Sequence, residues 1–185
     1  MRIIAGKLAG RHLTSPTDRR VRPTAEHVRE GMMELIAPYL PKARVLDLFA
    51  GTGALGLEAI SRGAARCDFV EFGAGSLHAL KSNIARLRLQ ERTRVFKRDA
   101  VQFAEALEPG SYDLAFADPP YESKILDRVV AHWKTRPFAR ILVVEHARTH
   151  KLPAGTARRA FVDTTITLYA VPAGRSEPTL TPLEP

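Results

Sequence analysis

The chain is nearly without cysteine. Cys67 stands alone, so no internal disulfide can form, and a reducing compartment fits. Its neighbours, Cys-Asp-Phe-Val-Glu, place it in packed interior. No apolar run approaches the length of a membrane span, and the first residues lack the apolar stretch of a secretion signal. A cytoplasmic setting is therefore expected. No internal repeat is visible. Acids are in short supply: 20 Asp and Glu against 28 Lys and Arg leave a net charge of +8. That surplus calls for an anionic partner, most simply nucleic acid. The remainder is ordinary. With 185 residues, 45% of them apolar, the chain is expected to form one domain that buries a full core.

The basic surplus starts at once. Over residues 1–23, Arg2, Lys7, Arg11, Arg19, Arg20 and Arg22 face Asp18 as their one acidic counter-charge. Short β-type runs flank Gly6 and Gly10, which predicts a small hairpin followed by an irregular arm. Such a segment reads as a phosphate-contacting surface for RNA docking. Thr24 is placed to cap a helix over 25–36, with Val28, Met32, Leu35 and Ile36 as its apolar stripe.

From there strand and helix alternate. Val45–Phe49 reads as a buried strand, 54–62 as a helix, Arg66–Glu71 as a second strand and 75–88 as a helix. Thr93–Lys97 is a third strand and 100–107 a short helix. Tyr112–Ala117 is a fourth strand, 124–134 a helix and Arg140–Glu145 a fifth strand. Residues 158–163 and 165–171 lie too close for an intervening helix and must pair as a hairpin. Residues 173–185 are expected to be a disordered tail. The expectation is an α/β, Rossmann-like fold. Its sheet has seven strands, mostly parallel, with a C-terminal antiparallel hairpin and a small N-terminal β-hairpin extension. The main domain is expected to span 24–172.

In such a sheet ligands bind at the carboxyl ends of the strands, and the notable residues fall there. After the first strand comes Phe49-Ala50-Gly51-Thr52-Gly53-Ala54-Leu55-Gly56, a strand–turn–helix in which backbone N–H groups face a ligand. Gly51-x-Gly53-x-x-Gly56 satisfies a dinucleotide fingerprint, with Glu71 at about the spacing of a ribose-binding acid. Asp47 argues against that ligand, since a carboxylate and a pyrophosphate would repel each other in one pocket. S-adenosylmethionine (SAM), with its ammonium and sulfonium, would be attracted instead. The expected SAM contacts are Asp47, Phe49, Ala50, Gly51, Thr52 and Gly53, then Glu71 for the ribose hydroxyls, and Asp99 with Ala100 for the adenine.

The most specific signal is Asp118-Pro119-Pro120-Tyr121 after the fourth strand. Two prolines fix the backbone and remove two N–H donors, leaving a carboxylate and carbonyls as a cluster of acceptors. An exocyclic –NH₂ of a nucleobase brings two donors to such a cluster, and the Tyr121 ring offers a stacking face. Hydrogen bonds to both N–H groups localise a lone pair that is otherwise delocalised into the base. The same acceptors stabilise the positive charge that develops on nitrogen. The expected catalytic set is Asp118, Pro119, Pro120 and Tyr121. Glu145, His146 and His150 lack further ligands, so no metal is expected.

With these residues in hand, the chain resembles the bacterial 16S ribosomal RNA guanine-N2 methyltransferases of the RsmD type. The resemblance runs from residue 1 to about 171. It rests on Arg2-Ile-Ile-Ala-Gly…Gly10-Arg11…Leu13, on Arg22-Pro-Thr…Val28-Arg29-Glu30, on Leu46-Asp-Leu-Phe-Ala-Gly-Thr-Gly-Ala-Leu-Gly-Leu-Glu-Ala, and on Asp118-Pro-Pro-Tyr121. It implies the class I SAM-dependent methyltransferase fold and SAM as cofactor. The substrate it implies is one guanine of 16S rRNA in a small-subunit assembly intermediate. It also adds Arg29 to the RNA-facing set. The chain departs from the pattern at Ala5, at Ala25-Glu26-His27 and at Phe72-Gly73. A monomer is the simplest expectation. Readings that stay open are an amine methyltransferase acting on DNA adenine, a non-enzymatic RNA-binding assembly factor and, more distantly, a dinucleotide oxidoreductase.

Overall fold

The computed structural model describes residues 1–15, 25–119 and 124–172. Its centre is a seven-stranded sheet built from β1 (Arg44–Leu48), β2 (Arg66–Val70), β3 (Thr93–Phe96), β4 (Tyr112–Ala117), β5 (Ala139–Ala147), β6 (Ala157–Ala160) and β7 (Thr164–Ala170). The helices are α1 (Glu26–Leu35), α2 (Ala54–Ser61), α3 (Ala74–Leu87), α4 (Ala100–Glu105) and α5 (Ile125–Thr135). Strand order is β3-β2-β1-β4-β5-β7-β6. The first five strands are parallel, and β7 pairs antiparallel with both β5 and β6.

Strand periodicity sorts the core into two layers. Val45, Cys67, Phe69, Leu114, Phe116, Ile141 and Val143 face one way, against Met32 of α1, Leu57 and Ile60 of α2, and Leu80 and Ile84 of α3. Leu46, Leu48, Val70, Ala115, Ala117, Leu142 and Val144 face the other way, against Val101 and Ala104 of α4 and Leu126, Val129 and Trp133 of α5. Coverage on both faces explains why the parallel strands read as continuous apolar runs. Cys67 is free and buried, and burial pushes its thiol pKa up. Trp133 closes the end of α5, donating its indole N–H to the Ala139 carbonyl at 2.7 Å.

The elements expected from the sequence are present, with shifts at their ends. Strand β5 is longer than Arg140–Glu145 because β7 pairs along it as far as Ala147↔Thr164. The expected Thr24 cap, and the 173–185 tail, lie outside the described residues.

The N-terminal hairpin is slighter than expected. One antiparallel bridge, Arg2↔His12, closes it, with Ile3 N–H donating to Arg11 O and Leu13 N–H to Met1 O, both at 2.9 Å. Two strands do not form because the intervening amides are engaged elsewhere. Ile4 and Ala5 donate to the Glu58 carboxylate at 2.8 and 3.0 Å, and Leu8 donates to Ser61 Oγ at 2.9 Å. Gly6–Leu8 winds as a single tight turn. The arm is thereby tied to α2, the helix that starts at the glycine turn.

Candidate active site

The direction of chain progression reverses at β1, which has β2 on one side and β4 on the other. The last paired rung joins Leu48 to Val70 and to Ala117. One residue further, Glu71, Phe49 and Asp118 emerge side by side at the carboxyl edge. Sequence positions 20 to 70 residues apart thus share one mouth, at the place where parallel sheets bind ligands.

The turn after β1 is shaped by three glycines with three roles. Phe49 and Gly51 adopt positive φ (62° and 55°), which turns the chain sharply out of the strand. A Cβ on Gly51 would meet nothing nearer than 4.0 Å, so that side of the turn is open to a ligand. Gly53, at φ 81°, is the N-cap of α2, and a Cβ there would lie 2.5 Å from Leu80. Gly56 needs its bare Cα for packing, since a Cβ would stand 2.4 Å from Phe69 and 2.5 Å from Cys67. Ala50 and Thr52 are buried, with Ala50 N–H donating to Val70 O at 3.0 Å.

Asp47 is 2% exposed and accepts the Gly56 N–H at 3.0 Å, so it caps the first turn of α2 from the neighbouring strand. Burial pushes its pKa well above the ordinary carboxylate range, and the nearby charges of Asp118 and Glu71 push it further. Two consequences follow. An anion has no place at this helix start, because Asp47 already holds it, which removes the physical basis for a dinucleotide pyrophosphate. A cation at the mouth would relieve the repulsion among the three carboxylates. Glu71 accepts from Gly51 N–H at 2.8 Å through one oxygen and from Gly73 N–H at 2.6 Å through the other. Each oxygen keeps a further lone pair for a ligand hydroxyl.

Asp99 is exposed and caps α4, accepting the Gln102 N–H at 2.8 Å. Asp99 and buried Ala100 follow β3 at the start of α4, at the carboxyl end of that strand. Phe72, directly after Glu71, is 70% exposed. An apolar ring left in water beside Glu71 is a candidate contact for a flat ligand. Its signal in the sequence is the departure from the family pattern at Phe72-Gly73.

Asp118 sits partly buried at the end of β4, and Pro119 is buried. Pro120 and Tyr121 lie outside the described residues. So do Arg19, Arg20 and Arg22. Of the remaining basic set, Arg2, Lys7 and Arg11 are exposed on the arm, with Arg2 3.6 Å from Glu26. Arg29 is a correction. Its side chain is fully enclosed, 3.7 Å from an equally enclosed Glu58, and it donates to the Arg2 carbonyl at 2.5 Å. It cannot reach RNA, and it holds the arm from inside. Burial at that site lowers its guanidinium pKa.

His146 is buried and neutral in its contacts: Nδ1–H donates to Ala147 O at 3.0 Å and Nε2 accepts from Thr167 Oγ1 at 2.9 Å. Among the described residues no group of three or more His, Cys, Asp or Glu is placed to hold a metal ion. No helix among them is long and apolar enough to cross a membrane.

A family model described as Conserved hypothetical protein 95 matches residues 1–166. The chain belongs to this family. It is the RsmD-type methyltransferase family that the motifs resemble. Ribosomal RNA small subunit methyltransferase D of Escherichia coli is 37% identical over 130 residues, covering 70% of this chain and 65% of that protein. YlbH of Bacillus subtilis is 35% identical over 158 residues, covering 83% of this chain and 86% of that one. Among solved structures, yhhF of Escherichia coli superposes with a TM-score of 0.79 at 31% identity, covering 92% of this chain and 97% of that chain. The family's class I methyltransferase fold is the fold described above.

Proposed function

We propose that this chain methylates the exocyclic N2 amine of a guanine in 16S rRNA, with SAM as methyl donor, during maturation of the small ribosomal subunit. The observation that carries the reading is the carboxylate mouth: Glu71 and Asp118 emerge beside buried Asp47, close enough to push its pKa further up, next to an open glycine turn. The curated relatives' names, which specify rRNA small subunit methylation, support the substrate class.

SAM supplies an electrophilic methyl group on a sulfonium that leaves as a neutral thioether. The chain's residues fit it. Asp47 and the neighbouring carboxylates offset its positive charge, the bare Gly51 admits it against the backbone, and Glu71 keeps lone pairs for the ribose hydroxyls. Asp118 and the Pro119 carbonyl take the two N–H bonds of the target amine. This would localise the nitrogen lone pair and orient the amine toward the methyl group that SAM would supply. As the N–C bond forms, the nitrogen becomes positive, and Asp118 stabilises that charge and accepts the departing proton. The exposed cations Arg2, Lys7 and Arg11 dock rRNA phosphates.

The test is methyl transfer from tritiated SAM to purified small subunits, to naked 16S rRNA and to duplex DNA, followed by nucleoside analysis. Label recovered as N2-methylguanine from the ribosomal substrates is the expected result. Label recovered as N6-methyladenine from DNA would replace the substrate and keep the chemistry. Measurable SAM binding with no label in any substrate would favour a binding role.

A further inference from the structure

The arm and the cofactor turn meet at one side chain. Asn83 lies on the core face of α3, in line with Leu80, Ile84 and Leu87, and is fully buried. Its Oδ1 accepts the Thr14 N–H at 2.7 Å. Its Nδ2 donates one hydrogen to Thr14 O at 3.0 Å and the other to Thr52 O, also at 3.0 Å. Both donors of the amide are therefore used, and the rotated amide is excluded because it would set its oxygen against two carbonyls. Thr52 stands between Gly51 and Gly53, both at positive φ, so its carbonyl is carried by the part of the turn that faces the ligand. Thr14 directly follows the hairpin that carries Arg2, Lys7 and Arg11. Arg86, one turn further along α3, donates to Thr14 Oγ1 at 3.1 Å. The other end of the arm is tied through Ile4 and Ala5 to Glu58 on α2. The arm is thus fastened to both helices that flank the turn, and Asn83 is the fastening that touches the turn itself.

We propose that Asn83 is a positioning residue that couples the RNA-facing arm to the cofactor turn, so that filling the turn orders the arm and loading the arm firms the turn. This rests on the reading of the turn as the SAM site. A buried amide with all three bonds made cannot lose its hold on Thr52 without leaving polar groups unsatisfied, so a displacement of the turn is transmitted to Thr14. Coupling of this kind is reciprocal by linkage.

Amide hydrogen exchange with S-adenosylhomocysteine as the probe tests it, on the unaltered full chain and on Asn83→Ala and Asn83→Asp. In the unaltered chain, saturating probe is expected to slow exchange at Leu13 and Thr14 several-fold. In Asn83→Ala that response is lost although the probe still binds. Asn83→Asp is isosteric and carries the test if the alanine variant fails to fold. It keeps the acceptor for Thr14 N–H and loses both donated bonds, to Thr14 O and to Thr52 O, so the Thr14 N–H stays bonded but no longer responds to the probe. A full arm response in either folded variant, or no response in the unaltered chain with the probe bound, overturns the proposal alone. Failure of the unaltered chain to bind the probe overturns the SAM reading itself, and the coupling with it.

Discussion

Glu71 Oε2 accepts the Gly51 N–H at 2.8 Å and so fixes the end of β2 to the turn after β1. Its other oxygen takes the Gly73 N–H at 2.6 Å. A glutamine cannot reproduce this, because its –NH₂ would face one of the two N–H donors. Glu71→Gln is therefore expected to weaken SAM binding by about tenfold or more, as for loss of a charged hydrogen bond. Glu71→Ala should weaken it at least as much. Calorimetric titration checks both, with RNA affinity as the control that should stay put.

Asp47 gives a pH dependence with a definite sign. Its pKa in the folded chain is raised well above the ordinary value, by burial first and by Asp118 and Glu71 as well. Between the unfolded value of about 4 and the raised value, the folded state binds a proton that the unfolded state has released. This contribution to stability is present at low pH and is lost as pH rises through that window. Asp47→Asn should flatten the dependence and raise the neutral-pH melting temperature by a few degrees, roughly 2–4 °C per kcal/mol for a domain of this size. The same change removes the charge that attracts a cation, so SAM binding should weaken while the fold gains. Thermal melts between about pH 5 and 8, paired with ligand titration, separate the two effects.

The glycines divide in the same manner. Gly56→Ala places a Cβ against Phe69 and Cys67 inside the core and is expected to cost about 1–3 kcal/mol of stability by overpacking. Gly51→Ala meets open space but must hold φ near +55°, a strain of about 1 kcal/mol. Its larger effect should be on SAM affinity, because the added methyl stands on the ligand side. Denaturant melts rank Gly56→Ala lower, and ligand titration ranks Gly51→Ala lower.

Arg29 and Arg11 belong to one expected RNA-facing set and to different roles by structure. Arg29→Met would leave Glu58 buried with Arg62, at 2.8 Å, as its remaining cation, and should cost about 3 kcal/mol. Arg11→Ala at the exposed arm should change stability by less than about 0.5 kcal/mol. It should instead lower rRNA affinity and reduce the salt slope by about 0.9 for one phosphate contact. Chemical denaturation and salt-dependent filter binding distinguish the pair.

The strand–helix alternation was legible because strands covered on both faces must read as apolar runs, and because Gly63, Pro38 and the Asp118-Pro119 pair interrupt the chain where elements end. The grouping of Asp47, Glu71 and Asp118 was legible too, since parallel strands bring their carboxyl ends to one edge whatever their sequence separation. The burial of Arg29 was not. A cation on an amphipathic helix reads the same whether it faces water or a buried Glu58, and that partner is supplied by another helix. Asp99 could likewise be read as a ligand acid, although the Gln102 amide three residues on makes it a helix cap as well. Asn83 carries no signal in the sequence, because both of its partners, Thr14 and Thr52, arrive only through the tertiary fold.

The most direct test of the central claim is single-turnover methyl transfer to small ribosomal subunits by Asp118→Ala with saturating SAM, alongside its SAM affinity. The account predicts N2-methylguanine formation slowed by roughly 10²–10³-fold or more, on the scale of losing one transition-state hydrogen-bond partner, with SAM affinity lowered far less than the rate. Methylation at the unaltered rate by a folded Asp118→Ala would contradict it.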